Sequence, residues 1–565
     1  MSSPPDSAST DSTASAARLA WARRALGRWR VPLLAMLSGL LLVGSMPGTA
    51  VPLTWLAILV PLLLATEQIM GRAGLRPSRR WLRVFGACWL MGGVWALFTG
   101  DWLVNTAHVF GHLPLIVVHP LNLVGHGLLV GAEFFLAAAL PFALTYRRPA
   151  LALVFVPLWC TAVQANLPKL FFWSFGQFMY PLAQLVQAAD LVGSAGLDLI
   201  YLPLQLVLFA WVSRALGRPV VASRALWSAS AGVAALLIAA GVYGQWRMDM
   251  VAAAEAAAPA VRVVGIQPNF SLKHLASNPA LSPSDRERSI TALLGDSSRA
   301  VAGMAPVDGR PTIVVWPESV YPAGFFLNPQ VRRLTERWAQ QRGVHLVLAS
   351  VDFDRSPSGR RGRRLYGIAV HVPAKPGAVE RYRKIFLMPF GETIPFGDWF
   401  PPYRRLLKAW IPQISEFTAG TEYTVFEIEP GVRVAPMICY DAIQPSIAQG
   451  MAANGANLAL VLANLGWFGP TSASVQFEHQ IRFRAIENRI PLLFLSQNGR
   501  TVLFNALGEP AAEPLPAFTA GALVVDVPLG DVQALFTRIG TVFDRTIGGL
   551  ALLMLAGILW RRWKK

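Results

Sequence analysis

Eight long stretches of almost uncharged, apolar sequence limit most strongly what this chain can fold into. Each has about 17 to 25 residues, enough for a helix to cross the roughly 30 Å hydrocarbon layer of a bilayer. They lie near 32–48, 52–69, 82–100, 120–144, 149–166, 197–215, 225–243 and 546–560. Because helices satisfy their own backbone hydrogen bonds in lipid, the pattern predicts a multi-pass membrane protein.

The positions of the basic residues predict how these helices are oriented. Arginines precede the first helix, follow the second, fourth and sixth, and end the chain after the eighth. All of these segments share one side of the membrane, which the positive-inside rule makes cytoplasmic. We therefore interpret the net charge of +18 as a consequence of topology, in preference to a basic surface for nucleic acid.

This topology divides the chain into four regions. Residues 1–30 are polar and precede a helix without a cleavage site, so we expect a disordered cytoplasmic tail rather than a signal peptide. Residues 31–244 are expected to form a membrane domain of seven helices. Residues 245–545 would be the outer, catalytic domain, in the periplasm of a bacterium with two membranes. Residues 546–565 would return to the inner membrane and end in a basic cytoplasmic tail.

Between residues 261 and 530, short β-branched runs alternate with amphipathic segments. Runs such as VRVVGIQ, PTIVVWPES and LALVLANLG are nearly continuous in apolar residues, which is typical of strands buried on both faces. Apolar residues recur at spacings of three and four in PQVRRLTERWAQQR and SVQFEHQIRFRAIENR, which indicates helices. The pattern predicts an α/β domain with sheets inside and helices outside.

Three predicted strand ends carry side chains that can do chemistry together. Cys439 follows the strand in VRVAPMICYD, Glu318 follows the one in VVWPES, and Lys384 stands in RYRKIFLMPFGE. A carboxylate can take the proton of a thiol, and an ammonium group can stabilise the thiolate and then an oxyanion. The other two cysteines lie in apolar stretches, so we expect no disulfide framework. Taken singly, each of the three side chains has an ordinary structural interpretation.

The same segments resemble those of a known family. VVWPES, RKIFLMPFGETIPF, PMICYD, NLGWFG and FEHQIRFRAIENRIPLLFLSQNG are similar to the successive signatures of the nitrilase, or carbon-nitrogen hydrolase, superfamily. TGDWLVNTAHVFGHLP and LVQAADLVGSAGLDLIY resemble segments of its membrane-bound branch, the bacterial apolipoprotein N-acyltransferases. The resemblance implies an α-helical polytopic membrane domain of about eight helices and a nitrilase-like αββα sandwich.

Carried over motif by motif, the resemblance implies a role for each matching residue. Glu318 would be the general base, Lys384 the cation that stabilises the oxyanion, and Cys439 the nucleophile. The supporting residues would be Glu392, Tyr440, Asp441 and Trp467. The implied reaction transfers an acyl chain from a phospholipid, through a thioester on Cys439, to the N-terminal amine of a diacylated apolipoprotein. We expect a monomer that needs no cofactor or metal and binds no nucleic acid.

Four substitutions depart from the family pattern. Asp441 stands where glutamate is usual, His274 where tryptophan is expected, Leu465 where aspartate is expected, and Phe494 where arginine is usual. They leave open a related acyltransferase with a different amine acceptor. A membrane-tethered amidohydrolase of the nitrilase type is a further alternative. A transport or scaffold role would leave the predicted nucleophile set without a use.

Other motifs have more than one interpretation. Four histidines between residues 108 and 126 have the spacing of a zinc site, but we expect them to pack and form hydrogen bonds at the membrane interface. The aromatic segments 320–327 and 396–412 are candidates for lids or for loops that enter lipid, and ordinary loop packing is the alternative.

Overall fold

The structure is a computed structural model, and it describes residues 29–49, 51–109, 111–270, 283–302, 310–321, 324–355, 363–411 and 414–564. His274 and most of the predicted tail at 1–30 lie outside these residues. The described chain has two parts, a bundle of apolar helices and an α/β sandwich, so the predicted fold class is confirmed.

The membrane part contains the first twelve α-helices. Seven helical segments of the described chain are long and apolar enough to cross a bilayer. Six of them lie in this part, after the shorter helix α1, and the seventh is Leu535–Trp563 at the carboxyl end. The helices are α1 (Trp29–Ser45), α2 (Val60–Gly71), α3 (Pro77–Thr99), α4 (Asp101–Val109), α5 (Leu115–Leu121), α6 (Gly127–Phe134), α7 (Leu140–Thr145), α8 (Pro149–Asn166), α9 (Ala183–Val186), α10 (Ala189–Gly196), α11 (Asp198–Ala215) and α12 (Ser223–Ala257). Helices α5, α6 and α7 form one continuous span, Leu115–Thr145.

Two helices extend beyond the apolar stretches that predicted them. Helix α12 continues to Ala257 because the residues after the predicted span near 225–243 are rich in alanine and other strong helix formers. The last helix begins at residue 535, before the predicted stretch at 546–560. Hydropathy marks only the most apolar part of a helix, and both helices continue past that part toward the sandwich.

The sandwich lies between α12 and the last helix in sequence. Its strands are β1 (Ala260–Gln267), β2 (Thr312–Trp316), β3 (His345–Arg355), β4 (Arg363–Val372), β5 (Glu380–Arg383), β6 (Phe426–Glu429), β7 (Val432–Ile438), β8 (Leu458–Ala463), β9 (Leu492–Ser496), β10 (Val502–Phe504) and β11 (Gly521–Pro528). Its helices, and the final membrane helix, are α13 (Pro283–Ala302), α14 (Pro329–Arg342), α15 (Pro401–Trp410), α16 (Pro445–Ala453), α17 (Ala473–Asn488) and α18 (Leu535–Trp563).

The strands form two sheets whose inner faces pack on each other. One sheet has the order β11-β1-β2-β3-β4-β5, and the other has the order β10-β9-β8-β7-β6. Strands β1, β2 and β3 are parallel, as are β7, β8 and β9. Every residue of β8 and β9 is buried, as the continuous apolar runs predicted. The carboxyl ends of the central parallel strands therefore carry the side chains that can converge.

Helices cover the outer faces of both sheets and complete an αββα arrangement. On the first sheet, Trp316 and Val264 pack with Ile290 and Leu293 of α13 and with Trp338 of α14. On the second sheet, apolar residues of α16 and α17 join the same buried cluster as the strands. The buried area of each sheet is thus shared between its partner sheet and its helices.

A buried ion cluster joins the sandwich to the membrane part. Asp190 on α10 accepts hydrogen bonds from Arg247 on α12 at 2.6 Å and from Arg489, just after α17, at 2.9 Å. The hydroxyl of Tyr243 donates to the other carboxylate oxygen at 2.7 Å. The side chains of Asp190 and Arg489 are fully buried. One carboxylate therefore compensates two guanidinium groups at the junction of the two parts.

We expect Asp190→Asn to lower the free energy of unfolding by about 3 to 5 kcal/mol, because it leaves two buried guanidinium groups without their counter-charge. The control is Asp526→Asn, which removes the exposed partner of Arg262 and should cost about 1 kcal/mol or less. Thermal unfolding of the full chain in detergent would measure both. Equal decreases in melting temperature for the two variants would show that the Asp190 cluster does not stabilise the junction of the two parts.

Candidate active site

Cys439 lies at a sharp turn where β7 ends. It adopts a left-handed backbone conformation with φ 46°, which is uncommon for a residue other than glycine. It also begins a short 3₁₀ helix, Cys439–Ile443. Its side chain is partly exposed, whereas Cys88 and Cys160 are buried among the membrane helices. The strand-to-helix turn thus presents this thiol at the edge of the sheet.

Lys384, directly after β5, forms a buried ion cluster with two carboxylates. Its Nζ lies 2.8 Å from Oε1 of Glu392 and 3.7 Å from Oε1 of Glu318, and its side chain is only 2% exposed. The second oxygen of Glu392 accepts the backbone N–H of Met388 at 2.8 Å. Burial alone would lower the pKa of Lys384, but the charges of Glu392 and Glu318 raise it above its usual value. The ammonium group therefore stays charged.

Glu318, just after β2, connects this cluster to the thiol. The Cys439 thiol and the backbone of Asn464 both act on the Glu318 carboxylate to lower its pKa, and the backbone of Asn464 also lowers the pKa of the thiol. Burial raises the pKa of Glu318 to about 7, although the charge of Lys384 opposes this change. Burial, followed by the charge of Glu318, raises the pKa of the Cys439 thiol above its usual value. At neutral pH the thiol thus keeps its proton beside a carboxylate that can accept it.

Asp441 holds the turn at Cys439 against the loop that follows β5. Its carboxylate accepts the Tyr382 hydroxyl at 2.9 Å and the backbone N–H groups of Ile385, Phe386 and Ile438 at 3.2, 2.7 and 3.2 Å. Burial raises the pKa of Asp441 to about 6, against the opposing charge of Lys384 and these donors. All four donors lie at the end of β7 or in β5 and the loop after it, so the carboxylate fixes the positions of these two segments relative to each other.

Tyr440 connects the turn to the membrane part. Its ring stacks on Phe386, with centroids 5.0 Å apart and planes 5° from parallel. Its hydroxyl donates to the carbonyl of Leu170, in the segment between α8 and α9. The residue beside the thiol is therefore fixed by both parts of the molecule.

Asn464 is a site residue that the sequence analysis missed. It follows β8 within the motif NLGWFG. In that motif the sequence predicted a supporting role for Trp467 and a departure from the family pattern at Leu465. Trp467 lies three residues later, on the 3₁₀ helix Gly466–Phe468, and Leu465 is buried in the core. Asn464 acts on Cys439 and Glu318 through its backbone. Every residue type except proline carries the same backbone N–H, so the sequence does not identify such a contact. Its position at the carboxyl end of β8, the strand next to β7, could have indicated that it lies near Cys439.

The remaining motifs stand apart from this cluster. His108 contacts the carbonyl of Leu113 at 2.8 Å, and His126 contacts the side-chain oxygen of Asn122 at 3.1 Å, so both make hydrogen bonds of the expected kind. In segment 320–327, Tyr321 and Phe325 are buried, as ordinary loop packing requires, whereas Leu327 at its end is exposed. Segment 396–411 is different, since its large aromatic side chains are exposed.

The pKa of Glu318 predicts a specific pH dependence for the reactivity of Cys439. The carboxylate is ionised, and able to take the thiol proton, above about pH 7 and loses that ability as the pH falls. In a Cys88→Ala/Cys160→Ala background, alkylation by iodoacetamide should rise through pH 7. Glu318→Gln should remove this step and slow the reaction at pH 7 by about 100-fold. Glu416→Gln, at a surface ion pair, is the control, and a pH 7 step that persists in Glu318→Gln would refute the assignment.

Parts of this chain, and the chain as a whole, are similar to known proteins. The carbon-nitrogen hydrolase family model matches residues 281–536. An amidase from Nesterenkonia sp. of known structure is 20% identical, covering 49% of this chain and 95% of its own, with a TM-score of 0.34. The apolipoprotein N-acyltransferase of Geobacter metallireducens is 28% identical over 546 residues, which is 94% of this chain and 95% of that protein. That of Chlorobaculum tepidum is 27% identical over 523 residues, or 88% and 90%. Residues 281–536 of this chain therefore resemble a carbon-nitrogen hydrolase domain, and the chain as a whole is a multi-pass membrane protein similar to the apolipoprotein N-acyltransferases.

Proposed function

We propose that this protein transfers an acyl chain from a phospholipid to the N-terminal amine of the diacylglyceryl-cysteine of apolipoproteins. The observation that carries the proposal is the cluster of Cys439, Glu318 and Lys384 in a chain that also has membrane-spanning helices. The similarity to apolipoprotein N-acyltransferases over nearly the whole chain supports the choice of substrates. We propose that the protein acts as a monomer.

In the first half-reaction, Glu318 accepts the proton of the Cys439 thiol as the sulfur attacks the ester carbonyl of the phospholipid. The carbonyl oxygen becomes an oxyanion, which the nearby ammonium group of Lys384 stabilises. Collapse of the tetrahedral intermediate breaks the carbon–oxygen ester bond, and Glu318 returns its proton to the departing lysophospholipid. The product is a thioester on Cys439.

In the second half-reaction, the amine of the diacylated lipoprotein attacks the thioester carbonyl. Glu318 accepts a proton from the amine, Lys384 again stabilises the oxyanion, and the carbon–sulfur bond breaks. The thiolate recovers its proton, so the starting state is restored. Glu392 takes no part in proton transfer, since its role is to hold Lys384 at 2.8 Å through both steps.

Two features of the structure support access of the site to lipid substrates. The sandwich is connected at both ends to long apolar helices, α12 and α18. Helix α15 has no buried residue, and the exposed Trp399 and Trp410 lie near its two ends. Exposed aromatic side chains beside basic ones are typical of segments that lie on a membrane surface. We propose that the helices lie in the bacterial inner membrane with the sandwich in the periplasm, as the arginine distribution favours.

We expect Cys439→Ala to abolish acylation of a diacylated lipopeptide in a detergent assay with phospholipid, because no thioester can form. Cys88→Ala and Cys160→Ala are matched controls and should retain most activity, since both thiols are buried in the membrane part. Cys439→Ser should also be a poor enzyme, because an alkoxide is much harder to generate than a thiolate. Lipopeptide acylation by the Cys439→Ala protein would refute the covalent mechanism.

A further inference from the structure

Helix α4 of the membrane part contacts the loop that follows β8 in the sandwich. The side-chain amide of Asn105 donates to the carbonyl of Phe468 at 3.1 Å. One helical turn earlier, the carboxylate of Asp101 accepts the backbone N–H of Ser472 at 2.9 Å. These residues lie in TGDWLVNTAHVF, a motif to which the proposed reaction assigns no role. The motif therefore binds the same loop at two points.

The other end of this loop reaches the candidate active site. Asn464 directly follows β8, in which Leu462 pairs with Ile438 of β7, so its backbone lies beside Cys439 at the ends of the two parallel strands. The side-chain oxygen of Asn464 accepts the N–H of Gly466 at 3.0 Å. The N–H of Phe468 donates to the carbonyl of Leu465 at 3.0 Å. Residues 464–468 therefore form one hydrogen-bonded turn, with the nucleophile at its beginning and α4 at its end.

The loop and α4 are in very close contact. Gly469 has φ +64°, and a Cβ added there would lie only 2.6 Å from the side-chain nitrogen of Asn105. Glycine is favoured at this position by the backbone conformation, and it allows the Asn105 side chain to lie directly against the loop.

We propose that Asn105 is a positioning residue for the candidate active site, which it influences through the loop from Phe468 back to Asn464. The inference rests on the proposed role of Cys439 as the nucleophile. By holding the carbonyl of Phe468, Asn105 keeps the backbone N–H of Asn464 against the thiol and the Glu318 carboxylate. A residue of α4 thereby influences the reactivity of a thiol in the sandwich.

Neighbouring contacts explain why Asn105 is the residue to test. The hydroxyl of Thr106 lies 3.1 Å from the carbonyl of Trp467 but also 2.7 Å from that of Trp102, and its single hydrogen must be shared between them. The carbonyl of Phe468 also accepts the hydroxyl of Thr471 at 3.0 Å. Loss of the Asn105 amide therefore leaves this carbonyl one partner, so we expect the loop to loosen without unfolding of the protein.

The test uses the full-length protein with Cys88→Ala and Cys160→Ala, so that Cys439 is the thiol that iodoacetamide modifies. Asn105→Leu removes the amide donor at similar size, and we expect alkylation at pH 7 to slow by about fivefold, as for the loss of one hydrogen bond. The pH profile should move upward, because the Asn464 hydrogen bond lowers the pKa of the thiol. Asn105→Gln keeps an amide donor and should recover part of the rate.

The matched control is His108→Leu on the same helix, since His108 hydrogen-bonds the carbonyl of Leu113 and not the loop after β8 in the described part of the chain. It should leave the alkylation profile unchanged. If Asn105→Leu lowers the melting temperature but keeps the parental pH profile, α4 only joins the two parts and the inference is wrong. The assay contains no lipid, so a failure of the parent protein to transfer acyl chains would overturn the proposed function and leave this result standing.

Discussion

The ammonium group of Lys384 is buried between two carboxylates, and the candidate active site depends on this ion cluster. An isolated buried charge is very costly, so the cation needs close compensation. Glu392 supplies it at 2.8 Å, whereas Glu318 lies at 3.7 Å and contacts the thiol of Cys439. The two carboxylates thus have different tasks. Glu392 fixes the cation, and Glu318 keeps a pKa of about 7, suitable for exchanging a proton near neutral pH.

The surroundings of this cluster come from both parts of the molecule. Tyr440, beside the nucleophile, donates to the carbonyl of Leu170, and Asn105 of α4 holds the loop that begins at Asn464. At the far end of α17, Arg489 pairs with Asp190 of α10. The sandwich is therefore seated on the helices by specific polar contacts as well as by its two covalent connections. In the proposed reaction, this arrangement would keep the Cys439 thiol in a fixed position relative to the helices.

Site residues with chemically reactive side chains could be predicted from the sequence, whereas site contacts made by backbone groups could not. Glu318, Lys384 and Cys439 each follow a strand run, and the motifs around them resemble a known family. The part of Asn464 was missed because its contact to the thiol uses a backbone group. The setting of Asp441 was equally hidden, since three of its four donors come from residues 382–386, more than fifty positions earlier. Helix α12 was predicted too short, because its most apolar stretch ends near residue 243 whereas strong helix formers continue to Ala257.

The central claim is that Cys439 carries the acyl chain between the two lipid substrates. Intact-mass spectrometry of the purified full-length protein after incubation with phospholipid tests this most directly. We expect a mass increase of one fatty acyl group, mapped by peptide analysis to Cys439, and its loss when a diacylated lipopeptide is added. An unmodified Cys439 in a preparation that acylates the lipopeptide, or an adduct that the lipopeptide does not discharge, would contradict it.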